Sequence, residues 1–232
     1  MELIAHRGCA DQYPENTVFA VERASRDFSA IEIDVRRCRS GELVVFHDET
    51  VDRLTEGRGS VAGKEWDELR NLEILDSGER IPLLSEALAA IPSSVSVQIE
   101  LKQTGTAADV LRRIDDAGVD ARITSFLPSA LTEVREHDPS VKRGYLFGEP
   151  VDATVGIQTA LTLECDSLHP HSTQCLETGI VDLAHENDLD VIAWAAGDEA
   201  VISDLYTAGV DAATADRYTT VVQASIGSVA AD

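Results

Sequence analysis

The chain has 232 residues, 42 acidic and 19 basic, for a formal net charge of −23, and 44% of them are hydrophobic. That apolar fraction supports a sizeable core and excludes a disordered acidic chain, while a surface of this sign repels nucleic acid and anionic membranes. No apolar run approaches the roughly 18 residues needed to span a bilayer, and Met1–His6 lacks the character of a signal peptide. A soluble, cytoplasmic protein is therefore expected, with no nucleic-acid partner and no stable membrane insertion. Only Lys64, Lys102 and Lys142 are lysines, and the acids are scattered along the chain. Such a surface stays hydrated where salt screens its self-repulsion, so a halophilic cytoplasm is expected, with an unusually acidic mesophilic protein as the alternative. Cys9, Cys38, Cys165 and Cys175 show no zinc-finger or Cys-x-x-Cys spacing and are expected as reduced thiols.

In chain order, short β-rich runs alternate with helical ones, which is the signal of a parallel sheet. Leu3–His6 reads as the first strand. A helix follows over Asn16–Asp27, with Val18, Val21 and Ala24 at helical spacing and Asn16 or Thr17 as its cap. The second strand, Ala30–Arg36, alternates Ile31, Ile33 and Val35 with polar residues. Leu43–Phe46 comes too soon afterwards to be reached by a crossover helix and reads as a hairpin-like excursion. About forty residues follow it, with short helical pieces at Lys64–Leu72 and Ser85–Ile91, in the range of barrel insertions. Strands at Val95–Lys102, Ala121–Phe126, Lys142–Phe147, Asp166–His169, Asp190–Ala195 and Asp211–Ala215 come next. Helices at Thr106–Ala117, Pro128–His137, Val151–Leu163, Leu176–Asn187 and Glu199–Ala208 separate them, and Tyr218–Ile226 is a candidate eighth helix. The fold expected is a (β/α)8 TIM barrel formed by residues 1–232 as a single domain, with a small insertion after strand 2. A seven-stranded doubly wound sheet is the alternative.

The chemistry-bearing residues gather at the C-terminal ends of these strands, where a barrel builds its active site. His6 and Arg7 end the first, Glu32 and Asp34 lie late in the second, Glu100 and Lys102 close the third barrel strand, and Trp194 is near the end of the seventh. Glu32 and Asp34 are two apart and share one side of their strand, where burial is costly unless they are paired or bound to metal. Glu100 and Lys102 repeat the spacing. Three carboxylates without a cysteine suit a hard cation such as Mg²⁺ or Ca²⁺ rather than zinc, and a buried ion-pair network centred on Lys102 is the competing reading. His6 and His47 are each followed by a charged partner, in His6-Arg7-Gly8 and His47-Asp48, and two histidines can supply a general acid and a general base. The planar fork of Arg7 suits phosphate oxygens, and Gly8 permits close backbone approach. His169 and His171 read as structural residues at a strand end, and His137 and His185 as helical surface residues. Trp194 is equally suited to the core and to the site.

The blocks His6-Arg7-Gly8, Pro14-Glu15-Asn16-Thr17, Glu32-Ile33-Asp34-Val35, Val44-Val45-Phe46-His47-Asp48 and Ile99-Glu100-Leu101-Lys102 resemble, in order, the signature of glycerophosphodiester phosphodiesterases. Thr50, Asp52, Thr55 and Gly57 continue that pattern, and Gly209-Val210-Asp211 resembles its last strand entry. The resemblance implies one divalent cation, Mg²⁺ or Ca²⁺ with Mn²⁺ as a further candidate, held by Glu32, Asp34 and Glu100. It implies His6 and His47 as the acid–base pair, with Arg7 and Lys102 on the phosphate. A small-molecule glycerophosphodiester would be hydrolysed to glycerol phosphate and an alcohol, a step in recycling lipid head groups. The chain departs from the family pattern at Trp194-Ala195-Ala196-Gly197, at Thr214-Ala215-Asp216 and at Leu127, positions that bear on the alcohol pocket and substrate range. Two competing functions are a Schiff-base barrel lyase using Lys102 and a non-catalytic barrel that binds a phosphate ligand.

Overall fold

The structure, a computed structural model, describes residues 1–194 and 196–217. Its second strand, Ala30–Arg37 (β2), is buried over its first six positions. One face of such a strand packs on helices and the other fills a barrel interior, so the sequence reads as an almost unbroken buried run. Glu2–Ala5 (β1) pairs in parallel with β2 on one side, and on the other with the last strand, Ala212–Ala215. Leu43–Val45 (β3) runs antiparallel to the end of β2. The remaining strands are Ser96–Leu101 (β4), Ala121–Ser125 (β5), Lys142–Phe147 (β6), Ser167–Pro170 (β7) and Asp190–Ala193 (β8), with Ala212–Ala215 as β9. The order β1-β9-β8-β7-β6-β5-β4-β2, closed by the β1–β2 pairing, makes an eight-stranded parallel barrel. A doubly wound sheet would leave two edges, whereas β1 has a neighbour on each side, so the seven-stranded alternative is excluded.

Helices Val18–Ala24 (α1), Trp66–Leu69 (α2), Leu84–Ala89 (α3), Ala107–Ala117 (α4), Pro128–His137 (α5) and Ala153–Thr162 (α6) follow in chain order. Ser172–Glu177 (α7), Ile180–His185 (α8) and Glu199–Thr207 (α9) complete the described set. Thr17 caps α1, its hydroxyl oxygen accepting from the Ala20 N–H at 3.1 Å. The main core lies between strands and helices, where Ile31, Ile33, Val35, Ile99 and Ile123 meet Val21, Ala24, Val110 and Leu131. A smaller apolar cluster of Ile4, Ala30, Ile192 and Ala212 joins four neighbouring strands of the barrel.

Three details differ from the sequence expectation. β1 stops at Ala5, and His6–Gly8 turn off it in a short 3-10 helix with Arg7 at φ 49°, Gly8 at 73° and Cys9 at 72°. A side chain at position 8 would put its Cβ 2.8 Å from that of Ala20, so the turn can lie against α1 only with glycine there. The span 176–187 is not one helix, because Gly179 at φ 62° separates α7 from α8. Of the two helical pieces assigned to the insertion, α3 is the barrel's own crossover, since Leu84, Ala87 and Leu88 join the main core. The rest of the excursion has a core of its own, built on Val44, Phe46, Val51, Leu54, Leu69 and Ile74. Tyr218–Ile226 lies outside the described residues. The four cysteines are buried and unpaired, and among the described residues no helix is long and apolar enough to cross a membrane.

Candidate active site

The β2–β4 register places Asp34 beside Glu100 and Glu32 beside Gln98. With side chains alternating along each strand, all four project to the same side. One oxygen from each of Glu32, Asp34 and Glu100 lies within 4.8 Å of the others, and all three residues are buried. Asn16 fixes Asp34, donating from Nδ2 to Oδ2 at 2.8 Å while its own Oδ1 accepts from the Asp34 N–H at 3.2 Å. Asn16 does this from φ 60°, a left-handed conformation that asparagine tolerates. Lys102 Nζ stands 2.6 Å from Glu100 Oε1 and 3.0 Å from Asp34 Oδ1, and Arg7 Nε stands 3.2 Å from Asp34 Oδ2.

These pairings leave the three carboxylates unequal. Burial opposes ionisation of Asp34, but Lys102 and Arg7 overcome it and hold the group at about 2. Burial and the neighbouring Asp34 charge push Glu32 up to about 8 and Glu100 to about 7. Glu32 Oε1 is buried and accepts no hydrogen bond from the protein. A buried, all-oxygen donor set in which Glu32 Oε1 has no partner and negative charge exceeds what its cations offset fits a hard divalent ion. The ion-pair network considered from sequence is also present, but Lys102 reaches only two of the three acids.

Both histidines face this cluster from outside the barrel strands. His6 Nδ1 is 2.7 Å from Asp216 Oδ1, just beyond β9, and its Nε2 is 3.9 Å from Glu32 Oε2. Burial would lower the His6 pKa, but the Asp216 hydrogen bond and the Glu32 charge outweigh it and raise the group. His47 follows β3, its Nδ1 2.6 Å from Asp48 Oδ1 and its carbonyl accepting from Arg36 Nε at 2.9 Å. Burial, with the charges of Lys102 and Arg7, lowers His47. A cavity of about 310 Å³ opens between the two rings, with Lys102, Phe126, Leu146 and Trp194 among its walls. Trp194 Nε1 donates to the Phe147 carbonyl at 3.1 Å, and its ring meets Phe126 and His171 edge-on at 5.4 and 4.7 Å.

Residues 6–220 match the model of the glycerophosphoryl diester phosphodiesterase family. The chain belongs to that family. A glycerophosphodiester phosphodiesterase from Caldanaerobacter subterraneus is 31% identical over 95% of this chain and 96% of its own length. An Oleispira antarctica phosphodiesterase, solved in complex with the product sn-glycerol-3-phosphate, is 27% identical at a TM-score of 0.86, covering 98% of this chain and 97% of its own. The fold also matches a glycerophosphoryl diester phosphodiesterase structure from Agrobacterium tumefaciens at a TM-score of 0.90, with 21% identity and 99% coverage of both chains.

His6, Arg7, Glu32, His47, Glu100, Lys102 and Trp194, all singled out from sequence, line a single cavity. Asp34 lies directly behind them, held by Arg7 and Lys102. His169 is buried in the opposite barrel wall, bonded to Ser167 Oγ at 2.8 Å, and His171 turns toward Thr173. Sequence reasoning missed Asp216 as the partner of His6, and it missed the links made by Glu15, Asn16 and Arg53. Asp216 carried a usable signal, since it follows a strand end as the other site residues do. Arg53 carried none, because it sits in a short 3-10 turn, Val51–Arg53, within the excursion.

Proposed function

We propose that the protein hydrolyses glycerophosphodiesters to glycerol phosphate and an alcohol, with His6 and His47 as the acid–base pair. The observation that carries this reading is the convergence of two carboxylate-backed imidazoles, two cations and three buried carboxylates on one cavity. Arg7 and Lys102 bring positive charge to the phosphodiester; burial works against their charged forms, but the neighbouring acids outweigh it and keep both protonated. A lysine held in its charged form is a poor Schiff-base nucleophile, which disfavours the lyase reading. Asp216 and Asp48 each occupy the Nδ1 side of their histidine and so leave Nε2 as the nitrogen that exchanges a proton with substrate. One ring removes a proton from the attacking oxygen and the other protonates the departing alkoxide. Phe126, Leu146 and Trp194 form an apolar wall against which one organic arm of the diester packs.

Glu32, Asp34 and Glu100 would hold one divalent cation, Mg²⁺, Ca²⁺ or Mn²⁺. When bound, such an ion neutralises phosphoryl charge and compensates the acids that burial leaves frustrated. The product complex of the Oleispira relative supports a small-molecule substrate of this kind. We read residues 1–232 as one catalytic domain acting in the cytoplasm on phosphodiesters derived from lipid head groups. The test is release of glycerol phosphate from glycerophosphocholine, lost in EDTA and restored by Mg²⁺, Ca²⁺ or Mn²⁺. Full turnover in exhaustively chelated protein would refute the metal assignment, and no turnover with any of these ions would favour a binding barrel.

The charge of −23 supports adaptation to high salt. Melting temperature and turnover should rise as KCl approaches about 1 M, where the Debye length falls to about 3 Å. A flat or falling melting curve would remove that reading and leave the enzymatic one standing.

A further inference from the structure

His47 stands on the excursion rather than on a barrel strand, and its ring is tied into a chain of charges. Its partner Asp48 accepts twice from Arg53, at Oδ2 from Nε (2.7 Å) and at Oδ1 from Nη2 (2.9 Å). The other edge of the same guanidinium donates to Glu15, Nη1 to Oε2 and Nη2 to Oε1, both at 2.9 Å. Glu15 is buried, and its Oε1 also accepts from Arg7 Nη1 at 3.0 Å. One guanidinium thus joins two carboxylates, each of which holds a cation or an imidazole at the cavity. Arg53 is not among the cavity's walls, and its side chain is 47% exposed.

We propose that Arg53 is a positioning residue for the hydrolysis, its two-edged fork setting His47 through Asp48 and Arg7 through Glu15. The planar five-donor guanidinium can serve both acids at once, which a lysine ammonium cannot. Without it, among the described residues Glu15 retains only Arg7 and Asp48 only His47, so both acids pull on groups that should face substrate. A small misplacement of either group is enough to slow a reaction that depends on alignment.

This inference rests on the proposed role of His47, and the experiment separates the two. Turnover of glycerophosphocholine would be measured for Arg53→Ala, Arg53→Lys, His47→Ala and the Arg53→Ala/His47→Ala double variant. Arg53→Ala should lower kcat about 10- to 100-fold with a smaller rise in KM. Guanidinium chloride at tens of millimolar, far below denaturing levels, should restore part of that kcat in Arg53→Ala and none in Arg53→Lys. In the double variant, loss of Arg53 should add little to loss of His47. Wild-type kcat in Arg53→Ala, or losses that multiply fully without guanidinium rescue, would overturn the proposal while leaving an impaired His47→Ala to uphold the acid–base reading. Near-wild-type turnover in His47→Ala would overturn both. Should Arg53→Ala melt below the assay temperature, Arg53→Lys decides: reduced kcat at an unchanged melting temperature supports the proposal, and unchanged kcat refutes it.

Discussion

Two walls of one barrel bury polar side chains in opposite ways. On the β2–β4 wall, Glu32, Asp34, Glu100 and Lys102 crowd together with mismatched charge. Across the interior, the β6–β7 wall buries His169 and Ser167 as a neutral hydrogen-bonded pair, with the imidazole filling the space over Gly144. Desolvation holds His169 uncharged, well below its usual pKa, and costs little because its partner is satisfied. Burial of polar groups therefore does not mark the site. Acids crowded together beyond what their cations offset do.

The comparison is tested most severely by His6→Ala and His47→Ala. Each should lower kcat about 10²–10⁴-fold with a smaller change in KM, whereas substitutions on the β6–β7 wall should act on stability. A substrate with a p-nitrophenol leaving group needs little protonation, so it should partly rescue the variant lacking the acid and not the one lacking the base. Near-wild-type turnover by either variant on a natural diester would place the chemistry elsewhere.

Next in size is the linkage between metal and protons. With Glu32 raised to about 8 and Glu100 to about 7, a cation taken up at the proposed site would displace protons. Mg²⁺ affinity should consequently fall as pH drops from 8 to 6, by up to about tenfold per unit for each proton displaced. Titration calorimetry in buffers of different ionisation enthalpy would read the released protons directly, and a pH-independent affinity would contradict the charge imbalance on the β2–β4 wall.

Smaller effects belong to the neutral wall. A Cβ at position 144 would overlap His169 Nε2, so Gly144→Ala should cost about 1–3 kcal/mol by overpacking. Its melting temperature should drop while its Mg²⁺ affinity stays that of the parent; a loss of affinity as well would show that the two walls are not independent. The slightest expected effect is on the acid sensitivity of folding. His169 is depressed when folded and ordinary, near 6.5, when unfolded, so below about 6.5 the unfolded chain binds the extra proton. Its contribution to stability is complete above that pH and declines as pH falls. His169→Gln should show a shallower decline in melting temperature between pH 7 and 5 than the parent, and equal slopes would mean that His169 is not held neutral.

The strands were legible because a doubly buried parallel strand writes itself as a run of Ile, Val and Leu. Lys142–Phe147 and Pro128–His137 have the limits read from sequence, and Glu32, Asp34, Glu100 and Lys102 declared themselves as charges inside such runs. The span 176–187 was misread because its apolar spacing continues across Gly179, whose backbone breaks what the periodicity joins. The pairings of Asp216 and Arg53 escaped for another reason. A strand end marks Asp216 as a candidate, but its partner His6 lies 210 positions away, as the partner Glu15 lies 38 from Arg53, and local pattern carries no information about which loop tips face each other once a barrel closes.

The excursion has a consequence for how the enzyme would lose activity on warming. Its cluster around Phe46, Leu54 and Leu69 is separate from the larger core behind the barrel strands. Units with less buried apolar surface open at lower free energy than the fold that carries them. One half of the proposed acid–base pair rides on such a unit while the carboxylates ride on the ladder. On the proposed mechanism, heat would thus retire His47 while the carboxylate cluster is still intact, giving an interval in which the protein would bind metal and phosphate but no longer turn over.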